Sequence, residues 1–154
     1  MTAVMVRDLP EEALLQRYAS DPAAYTDCLT RDVAGQVDLA QFVSAFYTTW
    51  LFKLERLILR FTVRRPSTDG QARDLAAGHV ARFAVWTVEA RTANQLLMCD
   101  MSGATRSWFM VAPQGETTRL YFGSAVIRAD RPLVKLLMPF HKWYARALLK
   151  AVRF

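Results

Sequence analysis

Six side chains in this 154-residue chain have types and positions suited to holding a small organic molecule: Arg82, Trp86, Asp100, Trp108, His141 and Tyr144. Histidine titrates near neutrality, so His141 can act as a polar anchor or as a general acid–base group. Asp100 interrupts the apolar run Leu96-Leu97-Met98-Cys99-Asp100-Met101 and alternates with Leu96 and Met98. Turned inward, its carboxylate needs a cation such as Arg82 or Arg106 beside it. Trp86, Trp108 and Tyr144 offer flat apolar faces and one hydrogen-bond donor each, which suits an aromatic ligand. Arg82 alternates with Ala84, Trp86 and Val88 and so shares a strand face with Trp86. Each residue also has a plainer role, in packing or at a turn.

Other chemistry finds little support. His79 and His141 are far apart, and Cys28 and Cys99 are isolated, so no ligand-spaced metal set is present. No Gly-rich phosphate loop or GxSxG turn occurs, no cofactor is implied, and no catalytic residue is nominated. The chain reads as a binding protein ahead of an enzyme.

The elements that must position these residues follow from periodicity. Pro10 to Ala19 reads as a short helix ended by Asp21-Pro22. Tyr25 to Val33 alternates as a first strand, with Tyr25, Asp27, Leu29, Arg31 and Val33 on one side. Asp38 can cap a helical region reaching about Leu59, and its drifting apolar stripe predicts a kink near Thr48-Thr49. Gln71 to Ala77 reads as one or two helical turns ended by Gly78. From there the period falls to two. Val80 to Arg91, Gln95 to Ser102, Thr105 to Ala112 and Thr117 to Arg128 are strands joined by hairpin-length links, hence an antiparallel meander. A long helix follows Pro132, with a kink or break expected beside Met138 because Pro139 removes a backbone donor.

Composition bounds the class. Apolar types at 53% and charged types at 22% describe a globular chain with room for one core, expected as a single domain over 1–154 with 1–24 at its periphery. The stretch Leu39–Phe61 carries Lys53, Glu55, Arg56 and Arg60, so it is no transmembrane span. The start lacks the basic, apolar pattern of a signal peptide, and unpaired cysteines suit a reducing compartment; a cytoplasmic setting is expected. The net charge is +6, and residues 1–127 are balanced. All of the excess sits in 128–154, where Arg128, Arg131, Lys135, Lys142, Arg146, Lys150 and Arg153 face Asp130 alone. On a helix, Lys135, Lys142, Arg146, Lys150 and Arg153 form one basic face opposite Leu133, Leu136, Leu137, Phe140, Trp143, Tyr144 and Leu148. That pattern fits a docked terminal helix, with an anionic membrane surface as the alternative partner; without a recognised motif, nucleic acid is disfavoured.

Strand, helices, antiparallel meander and long terminal helix is the order of an α+β helix-grip fold. Three stretches carry the likeness: Phe46-Tyr47-Thr48-Thr49-Trp50-Leu51-Phe52-Lys53-Leu54-Glu55, the meander, and Met138-Pro139-Phe140-His141-Lys142-Trp143. On these the chain resembles a bacterial branch of the START-like (SRPBCC) superfamily, over about residues 25–154. That superfamily includes polyketide cyclases and aromatases, plant pathogenesis-related ligand carriers and coenzyme Q-binding proteins. The resemblance implies a cavity between sheet and terminal helix for a hydrophobic, aromatic or lipid-like molecule. It leaves open a cyclase- or aromatase-like enzyme, in which His141 or Asp100 would move protons.

Overall fold

The structure, a computed structural model, describes residues 2–154. The elements in chain order are β1 (Met5–Val6), α1 (Gln16–Ala19), β2 (Tyr25–Ala34), α2 (Leu39–Tyr47), α3 (Trp50–Thr62), α4 (Asp69–Ala77), β3 (Arg82–Phe83), β4 (Trp86–Arg91), β5 (Gln95–Asp100), β6 (Thr105–Gln114), β7 (Thr117–Val126) and α5 (Pro132–Ala151). The strands form one antiparallel sheet of seven, in the order β1-β2-β7-β6-β5-β4-β3. β3 to β7 are the meander; β2 closes onto β7 along ten residues, from Tyr25 opposite Val126 to Ala34 opposite Thr117. The class is α+β, and among the described residues no helix is long and apolar enough to cross a membrane.

Local chemistry explains the helix breaks. Asp38 caps α2 as a capping box: its carboxylate accepts from the Gln41 N–H (2.8 Å), and the Gln41 side chain accepts from the Asp38 N–H (2.9 Å). The expected kink falls at Thr48-Thr49 and is a full break. Thr49 leaves the helical region (ψ 150°), and its hydroxyl accepts from the Phe52 N–H to start α3. α4 begins at Asp69, two residues earlier than expected, because Thr68 and Gln71 form a second capping box. Gly78 ends it in the left-handed region at φ 82°.

Arginines tie the helices down. Arg56, buried on α3, donates to the Ser67 carbonyl (2.9 Å), the Ser67 hydroxyl (2.9 Å) and Asp69 (2.6 Å). It thus clamps the loop between α3 and α4. Arg31 on β2 donates to the carbonyls of Leu149 (3.1 Å) and Val152 (2.8 Å), meeting the negative end of the α5 dipole. Arg91 donates to the last carbonyls of α4 in the same way.

The two sheet faces are covered differently. On one, Leu29, Leu96, Met98, Phe109, Leu120 and Phe122 pack under α2, α4 and the C-terminal half of α5, through Phe42, Phe46, Leu75, Ala145, Leu148 and Leu149. On the other, Cys28, Leu97, Trp108, Met110 and Ala125 pack against Ala13 and Leu15. Ala13 and Leu15, with Leu9, Leu14 and Tyr18 beside them, thus bring part of the N-terminal stretch, expected at the periphery, into a second core layer, with Leu15 fully buried. Gly123 is required where the layers meet: a Cβ there would lie 2.7 Å from the Asp27 carbonyl and 2.8 Å from the Trp108 ring.

Three further expectations change. The strand expected over Val80–Arg91 is two strands, because Ala84 (φ 50°) turns the chain so that Phe83 pairs with Trp86. The N-terminal helix is only the single turn α1. Helix α5 runs unbroken through Pro139. Both Pro139 and Lys135, whose carbonyl loses its partner, are exposed, so water can take that bond.

Candidate functional site

A cavity of about 170 Å³ lies between the helices and the sheet. The break at Thr49 makes its outer wall, placing Phe46 and Tyr47 at the end of α2 against Phe52 and Glu55 at the start of α3. The sheet supplies Trp86, Thr105, Arg106, Ser107, Phe122 and Ser124, and α5 supplies His141, Tyr144, Ala145 and Leu148. Aromatic contacts hold the apolar side. The Tyr47 ring packs at 4.8 Å from Phe52 and 5.0 Å from Phe83, and Trp86 lies 5.2 Å from Phe52.

The polar groups are unevenly satisfied. Tyr144 donates its hydroxyl to the Glu55 carboxylate, joining α5 to α3 across the wall. Burial pushes the Glu55 carboxyl above the usual carboxylate range, and the Tyr144 bond draws it partly back. His141 meets Tyr25 edge-on, with ring centroids 6.3 Å apart. Burial lowers its proton affinity, opposed by the nearby negative charge of Asp27. Asp27 accepts from the Ser124 N–H (2.7 Å) and the Tyr25 hydroxyl (3.1 Å), and burial nevertheless raises its pKa. Two lining residues each carry a buried polar atom without a partner among the described residues: the Tyr47 hydroxyl and Nε2 of His141.

Such a lining can bind an apolar body, exchange hydrogen bonds at two unsatisfied points and hold a proton on Glu55 or His141. Among the described residues, no three His, Cys, Asp or Glu side chains gather as a metal would need.

Three of the six residues singled out from sequence meet here: Trp86, His141 and Tyr144. The other three do not. Trp108 is fully buried on the opposite sheet face, where its indole N–H donates to Gln95 Oε1 at 2.9 Å. Strand parity explains this, since Trp108 alternates with Phe109 and it is Phe109 that joins the helix-side core. Arg82 is exposed and opposite Thr87, because the Ala84 turn puts it on a different strand from Trp86. Asp100 ends β5, where its carboxylate accepts from the N–H groups of Ser102 and Ala104 (both 3.1 Å) and the Thr105 hydroxyl (2.9 Å). It is a turn residue, and it pairs with neither Arg82 nor Arg106.

Glu55, Asp27, Ser107 and Ser124 were not singled out. Signals existed for two: Glu55 is the lone carboxylate in the apolar stretch Leu39–Phe61, and Asp27 alternates with Leu29 on one side of the first strand. Nothing in sequence marks the two serines. No family model matches this chain, and no curated protein is significantly similar to it.

Proposed function

We propose that this chain is a helix-grip domain of the START-like kind, whose cavity binds a small aromatic molecule without covalent chemistry. One observation carries the reading: a cavity lined by six aromatic rings, two of whose lining residues, Tyr47 and His141, each carry an unpartnered polar atom, Oη and Nε2. A buried polar atom without a partner costs roughly 1–3 kcal/mol, so a ligand that pairs with it recovers a term the empty fold lacks. Size narrows the class. A volume of 170 Å³ is close to the ~150 Å³ engineered cavity that takes benzene and below the ~300–1,000 Å³ of drug-sized sites. A single ring carrying a hydroxyl, carbonyl or carboxylate group fits; a fused polyketide or a full lipid chain exceeds this volume.

Native mass spectrometry of the purified protein, followed by extraction, tests this directly. A co-purified aromatic of one ring is the expected finding. For protein isolated empty, titration with phenol, benzaldehyde and benzoate should give saturable shifts in the NMR signals of His141 and Tyr144. Shifts that never saturate, or that spare both residues, would sink the reading.

A proton-transfer enzyme is the second reading, and one observation favours it. Glu55 is pushed toward its neutral acid and His141 toward its neutral base at the same cavity, a separation that acid–base catalysis uses. Loss of turnover in both His141→Ala and Glu55→Gln, with ligand binding kept, would select it. The pairing of His141 with Asp100 is set aside, since Asp100 lies in a turn outside the cavity.

A further inference from the structure

Most of the large apolar side chains that stand exposed belong to two helices. On α3 they are Trp50, Leu54, Leu57, Ile58 and Phe61, between 49% and 73% exposed. On α5 they are Leu133, Leu136, Leu137, Phe140 and Trp143, between 54% and 75% exposed. Each set repeats at helical spacing, so each is a continuous ridge on its helix. α5 therefore has three sides where the sequence suggested two: Ala145, Leu148 and Leu149 toward the core, the basic residues to one side, and this outer apolar ridge.

The two helices meet at one seam, and each ridge comes within a turn of it. Tyr144 and Glu55 bond across it; Phe140 lies one turn before Tyr144 and stacks on it at 5.9 Å, and Ile58 lies one turn after Glu55. An apolar surface of this extent on a protein otherwise well packed marks a place where something docks.

Charge decides among occupants. Glu55 is the only carboxylate on α3 or α5, and it faces inward to Tyr144. Exposed Arg60, Arg64 and Arg65 beside the α3 ridge, and Lys135, Lys142 and Arg146 along α5, make no salt bridge among the described residues. A second copy on a two-fold axis would set cations against cations. An anionic lipid surface complements both features, taking the leucine and aromatic ridge at the acyl boundary and the cations at the headgroups. Exposed Trp50 and Trp143 suit that interface. We propose that α3 and α5 dock this protein, peripherally, on an anionic bilayer. The inference holds whatever the cavity binds.

Vesicles of phosphatidylcholine, with and without about 30% phosphatidylglycerol, test it by flotation. The full chain should float with the anionic vesicles in low salt, with its tryptophan emission shifted to the blue, and should release at about 0.5 M salt. Phe61→Ser/Leu136→Ser and, separately, Arg60→Glu/Lys135→Glu should each weaken binding by about tenfold or more. All four positions are exposed, so unfolding temperatures should stay near that of the parent chain. Quenching of tryptophan by brominated lipid reads the same contact in the unaltered protein. No flotation on anionic vesicles, equal and salt-insensitive flotation on neutral ones, or undiminished flotation of both variants would overturn the proposal. So would a dimer in solution that Phe61→Ser/Leu136→Ser converts to monomer, which would give the ridge to a second copy.

Discussion

The two faces of the sheet use the same kinds of residue to different ends. Against the N-terminal segment, Trp108 is buried and its N–H is bonded to Gln95, whose side chain also accepts from the Leu14 N–H (2.9 Å) and donates to the Glu12 carbonyl (3.1 Å). Against the helices, Trp86 is only half-buried, Tyr47 and His141 keep unpaired polar atoms, and a cavity stays open. One face is a finished core. The other keeps a cavity and two unpartnered polar atoms. An aromatic residue is thus no guide to a binding site; the state of its polar neighbours is.

The largest expected effects lie on the finished face. Trp108→Ala should cost roughly 3–5 kcal/mol of unfolding free energy, measured by denaturant titration, because neither layer can collapse into the space. Next comes Gln95→Leu. It strands the Trp108 and Leu14 N–H groups together, at roughly 2–3 kcal/mol. A loss well under 1 kcal/mol for either variant would mean that the N-terminal segment is loosely held, and the contrast between the faces would fail.

How much of this was legible in sequence depended on whether a signal was local. The Asp38 cap, the break at Thr48-Thr49 and the shared side of Leu29 and Val33 are written within a few residues, and each is present. Trp108 was misplaced because the face of a strand is set by its neighbours in the sheet. Arg82 was misplaced because nothing announced a turn at Ala84, a non-glycine residue at positive φ. Glu55 read as an interruption in an apolar run; only the packing of α3 against α5 makes it the partner of Tyr144.

On the cavity face, Glu55→Gln probes the cost of an incomplete site. Its carboxyl is held above the ordinary value of 4.5 by burial, so the folded state binds that proton more tightly than the unfolded chain. The stability Glu55 contributes is complete below the unfolded value and is lost as pH rises through the folded one. Glutamine keeps an acceptor for Tyr144 without the charge. Glu55→Gln should therefore be more stable than the parent at pH 7, by on the order of 1 kcal/mol, with the difference vanishing near pH 4. A variant less stable at pH 7 than the parent would show that the carboxylate is compensated in the fold.

The smallest effect expected on stability is the one that most sharpens the comparison. Tyr47 is fully buried, and its hydroxyl is bonded to nothing among the described residues. Removing a hydroxyl that is paired typically costs about 1 kcal/mol, whereas removing one that is stranded relieves a desolvation penalty and preserves the ring. Tyr47→Phe should thus shift the unfolding free energy by less than about 0.5 kcal/mol, or raise it, while weakening any phenol or benzoate complex about tenfold. The two readouts must part company. If Tyr47→Phe costs as much stability as Gln95→Leu, its hydroxyl is satisfied in solution and the cavity face is as finished as the other. If stability and affinity both hold, the hydroxyl belongs to the core, and His141 Nε2 is left as the polar atom for a ligand to meet.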